Sequence, residues 1–68
     1  MKELSTYIGS DHYSDRIAKV LWCSETKTYY VNMEKTDFSE IRGMTIHNEG
    51  YAENCAENFV MGYGEFSQ

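Results

Sequence analysis

The sequence predicts an α+β domain, a three-stranded antiparallel β-meander with one C-terminal amphipathic helix packed on one face. Residues 15–46 contain three runs that are rich in β-branched and aromatic side chains and are separated by short polar connections, a pattern typical of strands joined as hairpins. Residues 48–62 instead repeat apolar side chains at the spacing of an α-helix. A chain of 68 residues is long enough for a single small domain.

The first predicted strand covers residues 16–23 and has apolar side chains on both faces, because successive side chains of a strand point to opposite sides. One face presents Ala18, Val20 and Trp22, and the other presents Ile17, Lys19, Leu21 and Cys23. The polar residues 24–27 suit a hairpin connection built on a type I turn.

The second predicted strand, residues 28–34, places Tyr29, Val31 and Met33 on one face. A polar turn at residues 35–37 leads into the third strand, residues 38–46. Gly43 lies inside this third strand, which predicts a β-bulge or a close approach of another group to the backbone.

The two ends of the chain carry weaker patterns. Residues 1–14 sustain neither a strand period nor a helical period, so we expect an irregular N-terminal arm or one short edge strand there. The β-β-β-α domain then spans residues 15–62. Residues 63–68 are expected to form a short C-terminal tail.

The helix is the clearest element of the sequence. Asn48 is a favourable N-cap, and Gly62 stands where a left-handed residue ends a helix. Glu53 and Glu57 belong to the polar side, opposite an apolar arc that packs on the sheet. The predicted core is Ala18, Val20, Trp22, Tyr29, Val31, Met33, Phe38, Met44, Ile46, Tyr51, Cys55, Phe59 and Val60.

One helix covers one face of the predicted sheet and leaves the other face open. That face carries Ile17, Leu21 and Tyr30 among polar neighbours, which predicts the interface of a homodimer. For a chain of this length, the free energy gained by burial and the conformational entropy lost are both roughly 100 kcal/mol. A second subunit would therefore add buried area that a marginal monomer lacks.

Composition argues against several classes of function. Eleven acidic and six basic side chains give a net charge of −5, which argues against non-specific binding of nucleic acid through its phosphates. The chain shows no apolar run long enough for a membrane span, and residues 1–6 lack the apolar core of a signal peptide. Cys23 and Cys55 have neither CxxC spacing nor a disulfide framework, so we expect reduced thiols and a cytoplasmic location.

The sequence contains no catalytic, cofactor-binding or metal-binding motif, and we predict a protein that is not an enzyme. Glu53 and Glu57 stand four residues apart on the helix, but two carboxylates form a weak cation site and a solvated acidic face explains them more simply. His12 and His47 have no ligand-type residue four positions away. Cys23 approaches His47 only if the ends of two strands align. A domain of this size is expected to lack room for a pocket of about 300 Å³.

Two alternative functions stay open beside protein–protein contact. Trp22, Tyr29 and Tyr30 lie on neighbouring strands. Aromatic side chains in such positions are typical of small nucleic-acid-binding modules, in which bases stack on the sheet. Basic residues accompany them in the sheet half of the chain, at Arg16, Lys19, Lys27, Lys35 and Arg42. The second alternative is a DNA mimic, a protein whose carboxylates imitate a row of phosphates and occupy the nucleic-acid groove of another protein. The acidic residues that favour it are Glu49, Glu53, Glu57, Asp37 and Glu40.

Residues 47–62 read HNEGYAENCAENFVMG. This segment resembles the ending H-S-E-x-Y-A-E-D-A-A-E-N-W-V-x-G of small uncharacterised proteins of marine tailed bacteriophages, and the resemblance extends over about residues 15–62. Asn48, Asn54 and Phe59 replace the usual Ser, Asp and Trp and keep their cap or core chemistry. The resemblance implies a β-β-β-α domain and an accessory role in the cytoplasm of a bacterial host, with a host protein as a possible partner. It transfers no activity and no functional residue.

Overall fold

A four-stranded antiparallel sheet followed by one helix makes up the described part of the chain, residues 1–45 and 48–62 of a computed structural model. The elements are β1 (Lys2–Ile8), a 3₁₀ turn (Asp11–Tyr13), β2 (Ile17–Cys23), β3 (Thr28–Lys35), β4 (Phe38–Gly43) and α1 (Glu49–Val60). The strands lie in the sheet in chain order, so each one pairs with its neighbours in sequence. The predicted α+β class with one C-terminal helix is confirmed.

The prediction of three strands is corrected by β1, which adds a fourth strand beside β2. For residues 1–14 the sequence left open an irregular arm or a short edge strand, and the structure contains an edge strand as long as β2. A β-bulge shifts the pairing register between Glu3 and Ser5. Because the bulge inserts Leu4 as an extra residue, it interrupts the period of two by which a strand is identified in a sequence.

Two tight turns set the register of the remaining strands. Lys27 and Asp37 have φ angles of 57° and 63° and lie in the turns of the β2–β3 and β3–β4 hairpins. β4 ends at Gly43, before the predicted end at residue 46, which lies outside the described residues. The close approach predicted at Gly43 is present, since a Cβ atom there would lie 3.2 Å from Cε2 of Tyr30.

Both predicted ends of the helix are confirmed. The backbone N–H of Tyr51 donates to Oδ1 of the N-cap Asn48 at 3.1 Å. Gly62 has a φ of 77°, the left-handed conformation that ends many helices. Arg16 Nη1 donates to the carbonyl oxygen of Phe59 in the last turn at 2.8 Å. Among the described residues, no helix has the length and apolar character needed to cross a membrane.

The core lies between α1 and the sheet. Its buried members are Ala18, Val20, Val31, Met33, Met44, Ala52, Cys55, Ala56, Phe59 and Val60. Three of the other residues predicted for the core are half-buried, namely Trp22, Tyr29 and Tyr51. Phe38 departs from the prediction with 39% exposure. Its ring stacks on Phe59 of α1 with centroids 6.2 Å apart, but it stays partly open because α1 packs mainly on β1, β2 and β3 and leaves β4 at the margin. The predicted Ile46 lies outside the described residues.

Candidate protein-contact surface

The face of the sheet opposite α1 carries apolar side chains that no described element covers. We call this surface the open face and define it by Ile8, Ile17, Leu21, Tyr30 and Ile41. The strand register places these residues on one side, with Leu21 opposite Tyr30 and Ile8 opposite Ile17. Ile41 lies opposite Asn32, two residues beyond Tyr30 on β3. The apolar side chains thus extend across all four strands.

The margins of the open face are its most exposed apolar parts. Ile8 on β1 is 69% exposed, and Ile41 on β4 is 52% exposed. The side chains between them are half-buried by their neighbours within the sheet. Lys19 Nζ lies 4.0 Å from Glu3 Oε1 on the same face, so opposite charges accompany each other there. Glu34 lies on this face as well, opposite Ile17, so the apolar side chains are accompanied by one positive and two negative charges on the four strands.

The structure brings together the three open-face residues that the sequence predicted, Ile17, Leu21 and Tyr30. It does not bring the predicted Glu53 and Glu57 to the same surface, because they belong to α1 on the other side of the sheet.

Sequence reasoning missed the two outer isoleucines of the open face, Ile8 and Ile41. Ile8 had no usable signal, since the bulge in β1 hides the strand period. The signal for Ile41 was present, because it alternates with the predicted core residues Phe38 and Met44 and must therefore point to the opposite face.

The acidic side of α1 is tied to β1 by a hydrogen bond. Ser5 Oγ donates to Glu53 Oε2 at 3.2 Å. Burial raises the pKa of Tyr7, and the negative charges of Glu53, Glu57 and Glu49 raise it further. Within residues 1–45 and 48–62, no three His, Cys, Asp or Glu side chains converge as a metal site would require.

Replacing Glu53 with Gln is expected to lower the pKa of Tyr7 toward its ordinary value near 10, because the negative charge that raises this pKa most is lost. The pKa stays raised in part, since burial is the largest cause. Because the pKa of Tyr7 is higher in the folded state than in the unfolded state, the protonated hydroxyl contributes to the free energy of unfolding. This contribution is fully present below about pH 10 and is lost as the pH rises through the pKa of the folded state. An NMR titration of the Tyr7 ring measures the change, with Glu25→Gln as the control. An identical Tyr7 pKa in both variants would contradict this prediction.

The aromatic residues proposed as a base-stacking platform lie on two different faces. Trp22 and Tyr29 pack together on the helix side with ring centroids 4.6 Å apart, whereas Tyr30 belongs to the open face. The three rings therefore do not form a single platform. The basic side chains are divided as well, since Arg42 pairs with Glu40 at 2.7 Å on the helix side of β4, whereas Lys19 lies on the open face. The described residues therefore distribute the aromatic and basic side chains of the nucleic-acid alternative over both faces of the sheet.

A groove of about 300 Å³ lies between the end of β1, the 3₁₀ turn and the end of α1. Its lining includes Asp11, His12 and Met61, so the expectation that the domain lacks room for such a volume is wrong. The two cysteines lie elsewhere, and neither forms a disulfide. Cys55 is buried in the core, while hydrogen bonding with Thr26 lowers the pKa of the Cys23 thiol.

Comparisons of the chain with protein-family profiles, with curated proteins and with solved structures found no match.

Proposed function

We propose that this chain is a non-catalytic binding module that acts by protein–protein contact through its open face, and that a second copy covers this face in a homodimer. The observation that carries the proposal is the exposure of Ile8 and Ile41 at the two margins of an apolar surface opposite α1. Removing such area from water is the main driving force of protein association. The proposed contact needs no cofactor, membrane or nucleic acid.

The biological setting of the proposal comes from the resemblance of the helix segment to phage proteins. It supports an accessory role during bacteriophage infection, in the cytoplasm of the bacterial host. A host protein that binds the open face would compete with the second copy, because both need the same apolar side chains.

Light scattering over a concentration series tests the homodimer. The variants Leu21→Lys and Ile8→Lys each place a charge within the open face, and Ile8 is exposed enough that its replacement spares the core. The control is Asn58→Lys, which adds the same charge to an exposed residue of α1, on the other side of the sheet. We expect the wild type and the control to exceed the monomer mass of 7.9 kDa, and both open-face variants to have a lower mass than the wild type.

Circular dichroism establishes that each variant is folded before its mass is compared. A wild-type chain that stays at 7.9 kDa at every concentration, or open-face variants that keep the wild-type mass, would overturn the homodimer on this face. Binding of a single-stranded oligonucleotide that weakens steeply with salt would instead support the nucleic-acid alternative.

A further inference from the structure

The outer edge of β4 is a second surface suited to contact between protein chains. The sheet has two edge strands, and β1 is the irregular one because its register shifts between Glu3 and Ser5. β4 pairs with β3 without any shift from Phe38 to Gly43. No strand within residues 1–45 and 48–62 pairs with its outer side. A regular unpaired edge is a template for another strand.

The backbone groups available at this edge follow from the hydrogen bonds on its inner side. The N–H of Met44 donates to the carbonyl oxygen of Tyr29 at 2.8 Å. In an antiparallel ladder, residues that bond to the neighbouring strand alternate with residues whose N–H and C=O groups point away. The outward groups of β4 therefore belong to Ser39, Ile41 and Gly43, which are the residues that can bond to an added strand.

The side chains of β4 make this edge complementary to itself. Glu40 and Arg42 flank Ile41 on the helix side, and Arg42 Nη2 lies 2.7 Å from Glu40 Oε2. In an antiparallel pair centred on Ile41, Glu40 lies opposite the partner's Arg42, and Arg42 lies opposite the partner's Glu40. Ser39 then lies opposite the partner's Gly43, so two small residues meet at each end. Opposite charges in such cross-strand positions are stabilising.

We infer that β4 pairs antiparallel with β4 of a second copy about a two-fold axis at Ile41, joining the two sheets into one continuous sheet. Charged side chains on an edge strand commonly prevent pairing, because a two-fold axis brings like charges together. The alternation of Glu40 and Arg42 has the reverse effect, since each charge faces its opposite. This inference goes beyond the proposed function because it uses the strand edge, and it would place two open faces side by side.

Two variants separate this edge contact from the open-face contact. Ser39→Pro removes an outward N–H and blocks an added strand, while the N–H groups that bond to β3 remain, and proline is tolerated at such edge positions. Leu21→Lys disrupts the open face and leaves the edge of β4 unchanged. We expect Leu21→Lys to keep a dimer of twice 7.9 kDa, and the double variant to be monomeric by light scattering.

The masses of the wild type, the two single variants and the double variant distinguish failure of the edge contact from failure of the open-face contact. If Leu21→Lys is monomeric, the edge contact is overturned while the open-face contact stands. If Ser39→Pro alone is monomeric and Leu21→Lys is a dimer, the edge contact stands and the open-face homodimer is overturned. If each single variant is a dimer and the wild type is larger, both contacts exist. A monomeric wild type at every concentration overturns both.

A charge-pairing experiment tests the register, in a background that carries Leu21→Lys. Glu40→Lys leaves two positive charges on β4, and Arg42→Glu leaves two negative charges. Each chain alone then repels its own copy, so we expect both to be monomeric although folded by circular dichroism. Mixing the two chains places positive opposite negative residues, and we expect a heterodimer in native mass spectrometry. Dimers of either single chain, or a mixture that stays monomeric, would overturn the proposed register.

Discussion

Replacing Met33 with Ala is expected to lower the free energy of unfolding by about 2–5 kcal/mol. Met33 is 1% exposed and is among the largest fully buried side chains, together with Val20 and Val31. Its position on β3, next to the buried Ala18 of β2, is held by the strand register. The rigid sheet cannot collapse into the space that the lost side chain leaves, so a cavity remains.

Urea unfolding monitored by circular dichroism measures this loss. The control is Glu34→Ala, the next residue on the same strand, which is exposed and is expected to change the unfolding free energy by less than about 0.5 kcal/mol. Because small domains have unfolding free energies of only about 5–15 kcal/mol, the Met33 variant is expected to unfold at a much lower urea concentration. Equal midpoints for the two variants would contradict a core centred on Met33.

Replacing Gly9 with Ala is expected to cost about 3 kcal/mol, because the added methyl group has no free space. A Cβ atom on Gly9 would overlap the carbonyl oxygen of Tyr13 and lie 2.8 Å from that of Val60. Both obstacles are backbone atoms, so no side-chain rotation relieves the contact. The N–H of Gly9 also donates to the carbonyl oxygen of Arg16 at 2.9 Å, which holds the glycine in place between the 3₁₀ turn and the end of α1.

The matched control for this substitution is Ser10→Ala at the neighbouring residue. Ser10 is exposed, and its side chain makes no capping hydrogen bond to the 3₁₀ turn, so we expect a change of less than about 0.5 kcal/mol. Thermal and urea unfolding of the two variants, measured side by side, provide the comparison. A Gly9→Ala variant as stable as the control would show that the close approach of β1, the turn and α1 is absent.

The helix and the central hairpin could be predicted because their signals are local. The Asn48 cap and the left-handed Gly62 each depend on a few neighbouring residues, and both have the predicted role in the structure. The alternation of β2 and β3 is also local, and it correctly places Val20 and Val31 in the core. In each case the chemistry of one segment selects one conformation before any distant contact forms.

The strand β1 and the margins of the sheet could not be predicted in the same way. The bulge between Glu3 and Ser5 breaks the alternation of β1, and the pairing of β1 with β2 joins residues that lie 9 to 20 positions apart in the chain. Phe38 matches a core residue by type and alternation, yet the position of α1 leaves it 39% exposed. Sequence alternation assigns a side chain to a face of a strand, but it does not say which part of that face the helix covers.

Local patterns in the sequence were sufficient to predict the α+β class, the limits of the helix and two of the three strand pairings, because hydrophobic period, capping and turn chemistry act over a few residues. The fourth strand and the full extent of the open face from Ile8 to Ile41 emerged only from the tertiary structure. These features depend on strand register and on where the helix packs. Both are set by contacts between residues far apart in the chain, which a local pattern cannot specify.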